Sequence, residues 1–211
     1  MTNREVIHDF FRLFDKIDYI RPESIPGIEL YMDQVTTFMD RELANMKRTD
    51  AEKILTKTMI NNYTKSGLLP PPEKKKYSRD HMFALIFIYY MKDFLSIADI
   101  KKVMNPVTDA YFHASTGTLG MEDIYREVFS LEHVEFQQLM KDVLRQLGRS
   151  KNTFQDAPES ERENLQLFAL FCMLGFDVYI KKMMMTYLID HVDLRVTPEG
   201  GTDGDSEEAA G

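Results

Sequence analysis

The chain has 211 residues, 44% of them apolar and 28% charged, with a formal net charge of −8. These values suit one sizeable core or two small domains, and they exclude a disordered or collagen-like chain. The acidic balance also argues against coating nucleic acid or anionic membrane through bulk positive charge.

Taken in chain order, the pattern is helical nearly throughout. Val6, Phe10, Phe11, Phe14 and Ile17 recur at spacings of three and four and predict an amphipathic helix over residues 6–17. Two prolines and a glycine within residues 21–27 make a loop. Tyr31, Val35, Phe38, Met39 and Leu43 mark a second helix. A third begins near the capping box at Thr49 or a few residues later at Thr56, and ends at Ser66-Gly67. Leu68-Leu69-Pro70-Pro71-Pro72 cannot continue it. Ser78 caps the next helix, through Phe83, Ile86, Phe87, Tyr90 and Met91. The capping box Ser96-Ile97-Ala98-Asp99 opens a short helix that is expected to stop before Asn105-Pro106. Met121 to Ser130 and Leu131 to Leu147 are two further candidates. Ser160 caps a long last helix that carries Leu165, Phe168, Leu170, Phe171 and Tyr179. The Gly-rich, acidic tail, residues 199–211, is expected to be disordered. Strand signals are nearly absent, and Lys74 to Tyr77 is the one place for a small β-ribbon. The fold class expected is all-α.

The lone cysteine, Cys172, leaves no intrachain disulfide and no Cys-based zinc site. Within Leu170-Phe171-Cys172-Met173-Leu174 it reads as a small buried hydrophobe. Met183, Met184 and Met185 with Phe168, Phe171 and Phe176 read as core at helical spacing, or else as an adaptable partner groove. The five histidines show no metal-ligand spacing, no phosphate-binding loop or paired-carboxylate site appears, and neither cofactor nor enzyme activity is expected. Met1 to Asp9 do not resemble a secretory leader. Residues 165–180 fall short of the ~18 residues of a membrane span. A cytoplasmic chain without a membrane partner is the expectation.

The charge is unevenly spread. Residues 53–104 carry ten basic and four acidic side chains, a balance of +6, while the rest of the chain sums to −14. In the helix 56–66, Met59, Ile60 and Tyr63 share an inward face. The opposite face shows Lys57, Thr58, Asn61, Asn62 and Lys65, with no acid among them. Asn pairs well with adenine edges, Lys with guanine or phosphate, and Thr with either. Lys74, Lys75 and Lys76 would add phosphate contacts, and Arg79 another at a helix start.

Residues 60–72, from Ile60-Asn61-Asn62-Tyr63 to Pro72, with Tyr77-Ser78 and Leu95-Ser96-Ile97-Ala98-Asp99-Ile100, resemble the DNA-binding half of the MerR regulators. Residues 30–34, 55–63 and 75–78 resemble more closely an uncharacterised bacterial family, domain of unknown function 1836, itself MerR-like. The resemblance covers about residues 25–105. It implies a winged helix-turn-helix with Tyr63 and Tyr77 at its conserved positions. MerR proteins carry Arg-Tyr-Tyr where this chain has Asn61, Asn62 and Tyr63, and its wing is shorter. The organisation expected is an N-terminal helix and loop (1–27), a MerR-like domain (28–105), a helical dimerisation or sensing region (106–198) and an acidic tail (199–211). Double-stranded DNA is the leading partner, with a second copy, an effector or another protein as further candidates. The alternative is a winged-helix interaction module that does not bind DNA.

Overall fold

The computed structural model describes residues 19–115 and 117–194 together with Arg12, the side chains of 132–134 excepted. The helix expected over 6–17 and the acidic tail lie outside the described residues. Six helices follow in chain order: α1 (Met32–Glu42), α2 (Lys57–Ser66), α3 (Arg79–Met91), α4 (Ile97–Tyr111), α5 (Met121–Ser150) and α6 (Glu159–His191). Two 3₁₀ turns, Pro22–Ser24 and Ala44–Met46, flank α1. Two short strands, β1 (Leu30–Tyr31) and β2 (Lys76–Tyr77), pair antiparallel, with Leu30 opposite Tyr77 and Tyr31 opposite Lys76. The described residues are therefore all-α apart from this ribbon; β2 falls where the sequence leaves room for one, whereas β1 takes Tyr31, read from the sequence as the start of the second helix.

α3 is the centre of the core. Its sequence is apolar on every face, and Met82, Phe83, Ala84, Leu85, Ile86 and Ile88 are all buried. A helix apolar all round needs covering on all sides. α1 supplies Val35, Phe38 and Met39, and α2 supplies Ile60 and Tyr63. The first turns of α5 supply Met121, Tyr125 and Phe129. Tyr125 packs tilted between Phe83 and Phe129, at ring distances of 4.9 and 4.3 Å, and its hydroxyl donates to the Ile20 carbonyl at 2.6 Å.

Four expectations are corrected. α4 runs through Asn105-Pro106 to Tyr111. A helix-interior proline costs about 3 kcal/mol. Here Ile100 and Met104 before it and Thr108 after it are all buried, so the burial gained along one continuous face outweighs the break. Residues 121–150 form one helix of 30 residues, because nothing in Ser130-Leu131 breaks the backbone ladder. The last helix starts at Glu159 with Pro158 as its N-cap, and Ser160 lies inside the first turn. Finally, Cys172 is exposed, as are Phe168, Phe171, Phe176, Met183 and Met184. α5 and α6 touch along a narrow seam, and among the described residues of α6 only Leu170 is buried.

Candidate nucleic-acid interface

α2 is held at both ends by its own sequence. The Thr56 hydroxyl accepts from the Met59 amide at 3.1 Å, the N-cap bond that starts the helix. Gly67 stops it at φ 72°, a left-handed conformation that a side chain resists, and the Leu68 amide donates to the Tyr63 carbonyl at 2.9 Å. α4 adds two clamps that the sequence does not announce. The Lys101 ammonium donates to the Ser66 carbonyl at 2.9 Å and the Asn105 amide to the Gly67 carbonyl at 3.3 Å. Their i, i+4 spacing is the one signal of a shared task.

With Ile60 and Tyr63 buried, Lys57, Thr58, Asn61, Asn62 and Lys65 face solvent. Tyr63 lies in the core, and burial pushes its hydroxyl pKa up. Tyr77 is buried too, with its pKa raised for the same reason. Both tyrosines pack, and neither ring lies on the surface that a duplex would touch.

The lysine segment is a tight turn. The Lys76 amide donates to the Glu73 carbonyl at 2.8 Å, and both central residues are left-handed, Lys74 at φ 48° and Lys75 at φ 66°. This is the twist that a two-residue hairpin loop needs, usually met by Asn-Gly. The two side chains stand exposed at its tip. Lys76 is folded back on the ribbon, 3.6 Å from Glu29 and above the Tyr31 ring at 5.9 Å.

Two other cations of the candidate set are engaged. Lys57 is ion-paired with Asp33 on the first turn of α1. That pair brings the start of α2 beside β1, whose partner strand carries Lys76. Arg79 turns inward: its guanidinium donates to the Pro22 carbonyl at 2.8 Å, is ion-paired with Glu122 and lies over the Phe83 ring. It ties α3 to the first 3₁₀ turn and to α5. Lys65, Lys74 and Lys75 pair with no carboxylate among the described residues.

Between α1 and the start of α2 lies a cleft of about 480 Å³, lined by Thr36, Thr37, Arg41, Lys53, Thr56 and Lys57. The free amides of a helix start favour an anion there. Asp40 lines the same cleft, 2.8 Å from Lys47 and 3.6 Å from Lys53. Its carboxyl is held below the ordinary range chiefly by the Lys47 hydrogen bond. Among the described residues no group of three or more His, Cys, Asp or Glu side chains is placed to hold a metal ion, and no helix is long and apolar enough to cross a membrane.

A protein-family model described as Domain of unknown function (DUF1836) matches residues 20–129. That span begins just before the first 3₁₀ turn and ends at Phe129, the last residue of α5 in the aromatic cluster. No curated protein and no solved structure matches the chain.

Proposed function

The chain belongs to the DUF1836 family, whose description assigns no activity, and from the surface of α2 we propose that it is a cytoplasmic regulator that binds duplex DNA. In this reading α1, α2 and the Glu73–Lys76 turn act as a MerR-like winged helix-turn-helix. Thr58, Asn61, Asn62 and Lys65 meet base edges, and Lys74 and Lys75 meet phosphates. The observation that carries it is the acid-free exposed face of α2, together with a turn that exposes two ammonium groups paired with no carboxylate among the described residues. The resemblance of residues 60–72 and 95–100 to the MerR DNA-binding half supports it. A homodimer is part of the proposal, because two-fold symmetric sites double the contacts available to one short helix.

Genomic DNA fragments retained by the purified chain at two salt concentrations provide the test. Retention should fall steeply as salt rises, with a slope set by the few phosphates neutralised. Replacing Asn61 by Ala should relax sequence choice by about 1–3 kcal/mol at one base position, whereas replacing Lys74 and Lys75 weakens all sequences alike. Absence of any duplex binding at low salt, the chain's own promoter included, sinks the reading.

One observation favours a second reading, a protein-interaction module. Asp33 neutralises Lys57, Glu29 lies beside Lys76 and Glu122 takes Arg79, so three of the six candidate cations are occupied within the chain. Asp33→Asn separates the two readings. It frees Lys57 and should raise duplex affinity several-fold if α2 reads DNA. It should leave DNA untouched, and change affinity for a protein partner, if it does not.

A further inference from the structure

α6 exposes more apolar surface than its own fold uses. At 3.6 residues per turn, Phe168, Cys172, Gly175 and Tyr179 fall within an arc of about 60°, flanked by Phe171 and Phe176. Buried Leu170 is on the opposite side of the helix. Phe168, Phe171, Phe176 and Tyr179 are 62, 67, 64 and 62% exposed. Spacings of four, three and four along this stripe are those of a helix–helix seam.

Gly175 is a second and independent observation. It sits mid-helix in that stripe, and a Cβ built on it meets nothing within 4 Å. Among the described residues nothing uses the missing side chain, yet glycine weakens a helix relative to alanine. A glycine on an outward face gains a purpose when another backbone approaches it closely. Cys172, also small and exposed, lies one turn away.

Charge selects the occupant and its direction. The first turns of α6 are acidic, with Glu159, Glu161 and Glu163, while Lys181 and Lys182 lie in its second half. Two parallel copies would set acid against acid and lysine against lysine. Of these side chains, Glu161 and Lys182 lie on the side of the stripe, and antiparallel copies set Glu161 within about a turn of the partner's Lys182 and oppose the helix dipoles.

We propose that α6 pairs antiparallel with α6 of a second copy, about a two-fold axis near residues 173–174. That centre sets Phe168 against the partner's Tyr179, Phe171 against the partner's Phe176, and Cys172 against the partner's Gly175, small against small. Four aromatic side chains of about 150–250 Å² each, three-fifths uncovered, bring about 1,000 Å² from the two copies together. That reaches the area a specific interface needs. The pairing deepens the homodimer reading above and stands apart from what α2 binds.

Sedimentation of the full chain without DNA, at about ten micromolar, should show a dimer. Gly175→Leu should keep the helix content in circular dichroism, since the position is open in the monomer, yet weaken dimerisation at least tenfold. Phe171→Glu should do the same from the flank. The two Cys172 thiols come within about 10 Å of each other in this geometry. A short bis-maleimide should therefore join two wild-type chains and fail with Cys172→Ser. A wild-type monomer at that concentration, or a dimer as tight in Gly175→Leu as in wild type, overturns the proposal. A monomer that still binds duplex DNA refutes the pairing alone, and a dimer that binds no duplex refutes the DNA reading alone.

Discussion

His81 illustrates how one side chain settles both a helix start and a pH dependence. It occupies the third position of α3, where a capping box usually has Glu or Gln. Its Nδ1 accepts from the Ser78 amide at 3.0 Å, so the ring must be neutral at that nitrogen. It is buried against Tyr77 and Phe112. Burial lowers its pKa below the ordinary 6.5, against the smaller opposing pull of the Pro71 and Pro70 carbonyls. Below about pH 6.5 the unfolded chain takes up a proton at this histidine that the folded chain refuses. Stability at this site is therefore complete above that pH and falls as the solution is acidified. Urea unfolding at pH 7 and pH 5.5 should show a smaller loss in His81→Gln, which keeps the acceptor and removes the titration. An equal loss in both proteins assigns the dependence elsewhere.

At the scale of an element, caps and stops were legible because each is a local bargain between backbone and side chain. Thr56, Gly67, Ser78 and Ser96 all act where the sequence places them. The lysine turn was legible in place but not in strain. Two left-handed lysines cost about 1 kcal/mol each relative to residues that accept this conformation. The double change Lys74→Asn and Lys75→Gly should stabilise the fold by about 1 kcal/mol in urea unfolding. If the tip contacts phosphate, the same variant binds duplex more weakly, and the salt dependence falls by about two phosphates. A gain in stability with unchanged DNA affinity would take the turn out of the interface. The break expected at Pro106 fails because a buried face on both sides carries the helix across it, and the one expected at Ser130-Leu131 fails because neither residue interrupts the backbone ladder.

For the whole molecule, the net charge of −8 averages unlike parts. The +6 of residues 53–104 survives as a basic surface only in part, because Asp33, Glu29 and Glu122 come from outside that segment to meet it. Duplex affinity should accordingly be modest and salt-sensitive. Long-range ties also join the start of the chain to α5, most directly the buried Tyr125 hydroxyl on the Ile20 carbonyl. Tyr125→Phe keeps the ring packing and leaves that carbonyl unsatisfied. It should cost about 1–3 kcal/mol of stability by chemical denaturation, and a smaller loss would mean that water replaces the bond.

The helical class of the chain, the caps of α2, α3 and α4 and the acid-free face of residues 57–65 were all determined by the sequence alone. Each depends on neighbours within about four positions, where spacing and side-chain chemistry suffice. Only the tertiary structure decided which cations are free and which apolar residues are covered. Arg79 is a clamp and not a phosphate ligand in waiting because Pro22 and Glu122 reach it from 57 and 43 residues away. Cys172 and its flanking phenylalanines face outward because α5 covers one narrow side of α6. An apolar residue at helical spacing specifies a face, and whether that face meets the chain's own core or another molecule depends on what packs beside it.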